Sequence, residues 1–251
     1  MPVLRRLAAA ALAMSVALPA AAQGLEDMTD AEREAFRAEV RAYLLENPEV
    51  LMEAIGVLEQ REQAAQASAD AEALAALAPM LEDESTSWIG GNPDGDVTLI
   101  EFMDYRCGYC RRAFDEVEAL VNADGNIRFV LKEFPILGEQ SLISSQFALA
   151  VQQLHGDDAY KIAHDALITL EGDATPDTLT RLAEGLGFEA EPILARMESE
   201  EVMSVIESNH AIASQLGING TPTFVLGGEM LRGYVPLDAM QQLVAEARAE
   251  G

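Results

Sequence analysis

Cysteine is almost absent from this 251-residue chain: there are two, and both fall in one tetrapeptide, Cys107-Gly108-Tyr109-Cys110. No thiol is left over for a structural cross-link, so the pair is expected to be reactive rather than a staple. Basic residues are scarce as well, 16 Lys and Arg against 43 Asp and Glu, for a formal charge of −27. Nucleic acid is therefore not an expected partner, since phosphate binding runs on clustered Lys and Arg. The simplest effect of so acidic a surface is solubility. The three histidines, His155, His164 and His210, are scattered. Two thiols alone cannot complete the four-ligand set of a structural zinc site, so no metal is assigned. No Gly-rich phosphate loop or flavin fingerprint stands out, and the expected chemistry needs no cofactor beyond the dithiol-disulfide pair itself. The single tryptophan, Trp88, and the methionines read as packing residues.

Long apolar runs are also missing, with one exception at the N-terminus. Arg5 and Arg6 precede Leu7 to Leu18, and the small residues Ala20-Ala21-Ala22 follow. The run is short for a bilayer span of about 20 residues and ends in an A-x-A pattern, which predicts a signal peptide over residues 1–22 rather than an anchor. Its removal takes two arginines and no acid, leaving −29. The expected location is an oxidising extracytoplasmic space, most simply a bacterial periplasm.

What is present begins with a helical segment, residues 23–85. Thr29 and Glu32 have capping-box spacing, and Phe36, Val40, Tyr43 and Leu44 recur at helical period. Asn47-Pro48 closes that helix and starts the next, which carries Leu51, Ala54, Ile55 and Leu58 on one face and runs on, Ala-rich, to about Pro79. Such a segment cannot build a core of its own, so its stripe should meet another surface. Self-association is one reading, and packing back on its own domain is the other, because the heptad decays into Glu62, Ala65 and Ala69.

Residues 86–251 read as the chemical domain. After the turn signal Asn92-Pro93-Asp94-Gly95, Val97 to Phe102 is a strand leading to the cysteines, Arg111 to about Asn122 an amphipathic helix, and Ile127 to Phe134 a second strand. Helix patterns fill about 140–215, Thr223–Leu226 and Met230–Arg232 form a hairpin over Gly227-Gly228, and Pro236 to Ala249 closes the chain. The predicted class is α/β, a thioredoxin fold with an inserted all-α subdomain, preceded by an α-helical N-terminal extension. Cys107 then lies at a strand-to-helix turn, where unpaired backbone N–H groups favour the thiolate that disulfide exchange needs. Arg106, Arg111 and Arg112 crowd the pair, and either reinforce that thiolate or simply line an exposed helix face.

Three separated motifs resemble the DsbA-like thiol-disulfide oxidoreductases over roughly residues 90 to 250. They are Glu101-Phe102 with Asp104-Tyr105 and the Cys107–Cys110 tetrapeptide, Phe134-Pro135-Ile136-Leu137 with Ser141, and Gly217-Ile218-Asn219-Gly220-Thr221-Pro222-Thr223-Phe224. Glu46-Asn47-Pro48-Glu49-Val50-Leu51 is similar to the extension of the subgroup called suppressor-of-copper-sensitivity protein C, whose trimeric members are disulfide isomerases. The resemblance implies Cys107 as an exposed nucleophile and Cys110 as the buried resolving thiol. It implies Thr221-Pro222 as a cis-proline loop that binds extended substrate, where an isolated Thr-Pro would be trans. It also implies Glu101 as an acid beneath the site, set against the alternative of a partly exposed strand-end carboxylate. Gly108 and Tyr109, between the cysteines, look like the isomerases rather than the strong oxidase. The implied partners are misfolded or reduced exported proteins, a membrane thiol reductase of the DsbD type, and further copies of the chain as a homo-trimer. A dithiol oxidase and a copper(I)-binding protein are the alternatives, copper because it is soft and accepts thiolates.

Overall fold

The computed structural model describes residues 28–250; the expected signal peptide, residues 1–22, lies outside them. The chain divides into two compact units, one reaching to Gln60 and one from Arg61 onward. In the first, α1 (Asp30–Glu46) starts at a complete capping box, in which Thr29 N–H donates to the Glu32 carboxylate at 2.8 Å and Thr29 Oγ1 accepts from Glu32 N–H at 3.4 Å. Asn47 caps its end and α2 (Glu49–Leu81) begins. No residue of α1 is buried, and Phe36, Val40, Tyr43, Leu45, Leu51, Ile55 and Leu58 are all exposed apolar side chains of this unit.

The second unit is built on a five-stranded sheet, in the order β1-β3-β2-β4-β5. β2 (Val97–Met103) and β3 (Ile127–Glu133) are parallel and joined through α3 (Gly108–Asp124), while β1 (Trp88–Gly91), β4 (Thr223–Leu226) and β5 (Glu229–Arg232) pair antiparallel. Five helices separate β3 from β4: α4 (Glu139–His155), α5 (Asp157–Ile168), α6 (Pro176–Gly185), α7 (Ala190–Met197) and α8 (Glu200–Gln215). α9 (Leu237–Glu250) follows the hairpin. The chain is thus a thioredoxin-type α/β fold with a helical insertion.

Strand alternation gives the sheet two buried faces. Leu99, Met103, Phe129, Leu131, Phe224 and Leu226 pack in one apolar cluster with α3, α4, α5 and α9. Ile100, Phe102, Val130, Phe134 and Val225 form a second cluster with the end of α8 and with Leu74, Leu77 and Leu81 of α2. Expected as one piece to residue 85, the N-terminal segment therefore divides at Gln60, because the later turns of α2 belong to the sheet's core. Asp70 adds a bidentate pair with Arg232 of β5 at 2.7 and 3.0 Å. Lys132, with none of its surface exposed, donates to Met80 O at 3.1 Å, a carbonyl of the last turn of α2 that no basic residue of the helix itself serves. Burial pushes its ammonium down to about 8.

Candidate active site

β2 delivers the chain to Asp104 and Tyr105, and α3 starts directly after Cys107, its N-cap. Both cysteines are free thiols. Cys107 is 7% exposed and Cys110 1%. The nucleophile expected to be exposed is thus largely covered, because the loop before β4 lies against it: Cys107 Sγ donates to Thr221 O at 3.1 Å. The Thr221–Pro222 bond is cis, and Gly233 N–H donates to Pro222 O at 2.9 Å, tying that loop to the chain beyond β5.

The two thiols are electrostatically opposite. A hydrogen bond from the Cys110 thiol is the largest influence on Cys107, followed by burial in the other direction and then by the Thr221 hydroxyl and the N–H groups of Cys110 and Tyr109; the result lies down at about 5. Thr221 thus presents two faces, a carbonyl that accepts from the thiol and a hydroxyl that donates to the thiolate. Cys110 is pushed far up, first because its proton is held by Cys107, then by burial and by the charge of Glu101. The arrangement is one thiolate and one thiol at neutral pH, the pairing that exchange chemistry requires.

Of the two expectations for the arginines, the exposed helix face fits Arg112, while Arg106 and Arg111 hold backbone carbonyls. Arg106 Nη1 donates to Gly172 O at 2.7 Å, Arg111 donates to Tyr105 O at 2.8 Å and Leu170 O at 2.9 Å, and Arg112 lies 4.3 Å over the Tyr234 ring. None is among the largest influences on Cys107. Two of them fasten the loop between α5 and α6 beside the cysteines. Gly108 and Tyr109 are exposed, and the Tyr109 ring stacks 6.4 Å from that of Tyr234.

Glu101 lies on the cysteine face of β2 between Leu99 and Met103 and is buried at 6% exposure, not a partly exposed strand end. Burial, then the Cys107 and Glu118 charges, push its carboxyl up to about 8. A group at that value can hold or accept a proton at neutral pH within the field of Cys110. It also carries a cost. The folded chain keeps this proton while the unfolded chain releases it near 4.5, so the reduced protein loses stability as pH rises from about 4.5 to about 8. Glu101→Gln removes that loss, and urea denaturation should show it more stable than wild type by on the order of 3 kcal/mol at pH 8 and little changed at pH 5. An equal change at both values would contradict the buried acid.

Asp104, part of the motif that carries the cysteines, has no role legible in the sequence, yet it belongs to the site. Its fully buried carboxylate accepts from Arg106 N–H at 2.7 Å, Ile136 N–H at 2.8 Å and Leu137 N–H at 3.0 Å. It therefore locks the Phe134–Leu137 motif against the cysteine loop. The signal available was an acid following an apolar strand with Pro135 opposite, a pairing that no local pattern reveals.

The sequence profile of the DSBA-like thioredoxin domain matches residues 98–245, and that of the copper resistance protein ScsC N-terminal domain matches residues 32–65. Among solved structures, a thioredoxin-like oxidoreductase from Silicibacter pomeroyi is 40% identical, with a TM-score of 0.64, covering 68% of this chain and 97% of that one. BcfH from Salmonella enterica Typhimurium is 26% identical, with a TM-score of 0.73 and coverage of 87% and 96%. Proteus mirabilis ScsC in a transitional conformation is 27% identical, with a TM-score of 0.65 and coverage of 90% and 99%. Among curated sequences, a Na(+)/H(+) antiporter of Salinispora arenicola is 26% identical over 66% of this chain, which spans only 26% of that protein.

Proposed function

Because this chain belongs to the family of DSBA-like thioredoxin domains and carries an ScsC-type N-terminal domain, we propose that it is a thiol-disulfide oxidoreductase acting as a disulfide isomerase on exported proteins. The observation that carries the exchange chemistry is the pair itself, a Cys107 thiolate at the start of α3 with the Cys110 proton held against it beside the cis Thr221–Pro222 bond. In isomerisation the Cys107 thiolate attacks one sulfur of a non-native client disulfide and a mixed disulfide forms. The displaced client thiolate attacks elsewhere, and a second client thiolate then releases Cys107; no net oxidation occurs. The site must be kept reduced for this, and a membrane thiol reductase of the DsbD type would supply the electrons. The expected compartment is the periplasm, reached by way of the signal peptide.

The exposed apolar stripe of α1 and early α2 supports assembly, with a trimer as the expected state. Several sites on one body raise the local concentration of thiolate around a misfolded client. The lowered Cys107 value favours a second reading, a dithiol oxidase, since a thiolate of low basicity is also a good leaving group and its disulfide a ready oxidant. Recovery of activity from scrambled, fully oxidised ribonuclease by the reduced protein separates the two. Recovery that disappears with Cys107→Ser supports the isomerase. No recovery, with efficient oxidation of reduced ribonuclease by the disulfide form, makes it an oxidase.

A further inference from the structure

A second buried polar cluster, which the exchange step does not use, centres on Glu133. This residue ends β3 on the same face as Phe129 and Leu131, and it is 2% exposed. Three hydroxyls close on its carboxylate. Tyr105 and Tyr160 donate to Oε1 at 2.8 and 2.6 Å, and Ser145 donates to Oε2 at 2.6 Å. With Tyr105 committed as a donor, His164 Nδ1, 3.0 Å from the Tyr105 hydroxyl, must carry the proton and donate to it. Asn209 Nδ2 donates to the Glu133 carbonyl at 3.0 Å. One residue of the sheet thus gathers α4, α5 and α8 of the helical insertion. The other charges that bear on the cluster are Asp104 on Glu133, Lys161 on His164 and Glu101 on Tyr160.

Tyr105 makes this more than a strut. It is fully buried and stands two residues before Cys107. Its hydroxyl is held by the cluster, while its carbonyl is held by Arg111, whose guanidinium also holds Leu170 O. Both ends of the residue that sets the approach to Cys107 are therefore tied to the insertion.

We propose that Glu133 is a positioning residue: acting through Tyr105, it fixes Cys107 at the mouth of α3 and so sets the reactivity of the thiolate. The proposal rests on the exchange reading of the site. When Glu133 is ionised, all three hydroxyls point at it. When it is protonated, its own O–H must donate and one hydroxyl has to turn. Tyr105 has an alternative acceptor in His164 Nδ1 once that ring changes tautomer, which frees Tyr105 from the carboxylate. Burial pushes the Glu133 carboxyl up to about 7 against its three donors, which places this change near neutral pH.

The test is the pH profile of Cys107 alkylation together with the equilibrium of the dithiol with glutathione. Wild type should show an inflection from Cys107 at about 5 and one from Glu133 at about 7, below the ionisation of Glu101 at about 8, which also acts on Cys107 and is common to wild type and variants. Glu133→Gln keeps the shape of the side chain without a charge; it should lose the Glu133 inflection and shift the glutathione equilibrium at least about threefold, or about 14 mV for a two-electron couple. Tyr105→Phe cuts the link while leaving Glu133 in place and should lose the same inflection, and it carries the test if Glu133→Gln does not fold. A purely structural Glu133 would lower the melting temperature and leave both readouts where they were. Wild-type exchange with unaltered readouts in the variants overturns the role of Glu133 alone. A wild-type dithiol that does not equilibrate with glutathione overturns the exchange reading and this inference with it.

Discussion

Cys107→Ser should lower disulfide exchange at least about a thousandfold, the scale on which removal of a nucleophile acts, because a serine hydroxyl is not ionised at neutral pH. Cys110→Ser should do the opposite to the intermediate. Attack by Cys107 persists, but the internal thiol that would displace the client is gone, so Cys107-linked mixed disulfides accumulate. The asymmetry follows from the site. Cys107 is the less buried of the two, caps α3 and receives a hydrogen bond in its ionised form, whereas Cys110 is 1% exposed and its proton is held. Mass spectrometry of complexes separated without reductant checks it, and trapping by Cys107→Ser instead would reverse the assignment. Cys110→Ala, which leaves no side-chain proton to donate, also removes the largest influence that lowers Cys107, so this variant should attack more slowly than wild type at pH 6 and approach it at pH 9.

Two truncations should behave very differently. A chain without residues 23–60 loses α1 and the first part of α2, where no residue is buried; all four buried residues of α2, Asp70, Leu74, Leu77 and Leu81, lie beyond the cut. Light scattering should show a monomer, and simple disulfide reduction should continue while recovery of scrambled ribonuclease is lost. Extending the deletion to residue 85 also strips three buried leucines from the sheet face lined by Ile100, Phe102 and Val130, at about 2 kcal/mol or more for each. It also leaves Arg232 without Asp70 and Lys132 without Met80 O. That chain should melt well below the shorter truncation. Equal melting temperatures would deny α2 its place in the core, and a full-length monomer would remove the assembly proposal.

These contrasts also show where the sequence was readable. The capping box, the strand into the cysteines and the hairpin over Gly227-Gly228 are local patterns, and each is present, while the second helix starts at Glu49, one residue after Pro48 rather than on it. The fading of the heptad at Glu62, Ala65 and Ala69 was the trace of a change of partner, since Leu74, Leu77 and Leu81 dock on the sheet a few turns later. β1 was not foreseen. Its four residues carry two glycines, and its identity comes from antiparallel pairing with β3, while a Cβ on Gly90 would fall 2.2 Å from the Trp88 ring.

Charged side chains were the least legible, because their partners are distant in sequence. Arg106 and Arg111 find carbonyls at Gly172 and Leu170, and Asp104 finds the backbone at Ile136 and Leu137. Lys132 and Glu133 end an apolar strand and point to opposite faces, one into each core. A pair of charges closing a buried strand was visible in the sequence, yet which face each would enter depends on helices encoded elsewhere in the chain.

Exchange at this site requires Cys107 to be a thiolate at neutral pH, and the ultraviolet absorbance of the reduced protein titrated with pH measures that directly. A step centred near about 5 that is absent from Cys107→Ser is the predicted result. A single step near the ordinary thiol value of about 8.5 would contradict it, because neither the Cys110 hydrogen bond nor the start of α3 would then be acting on the sulfur.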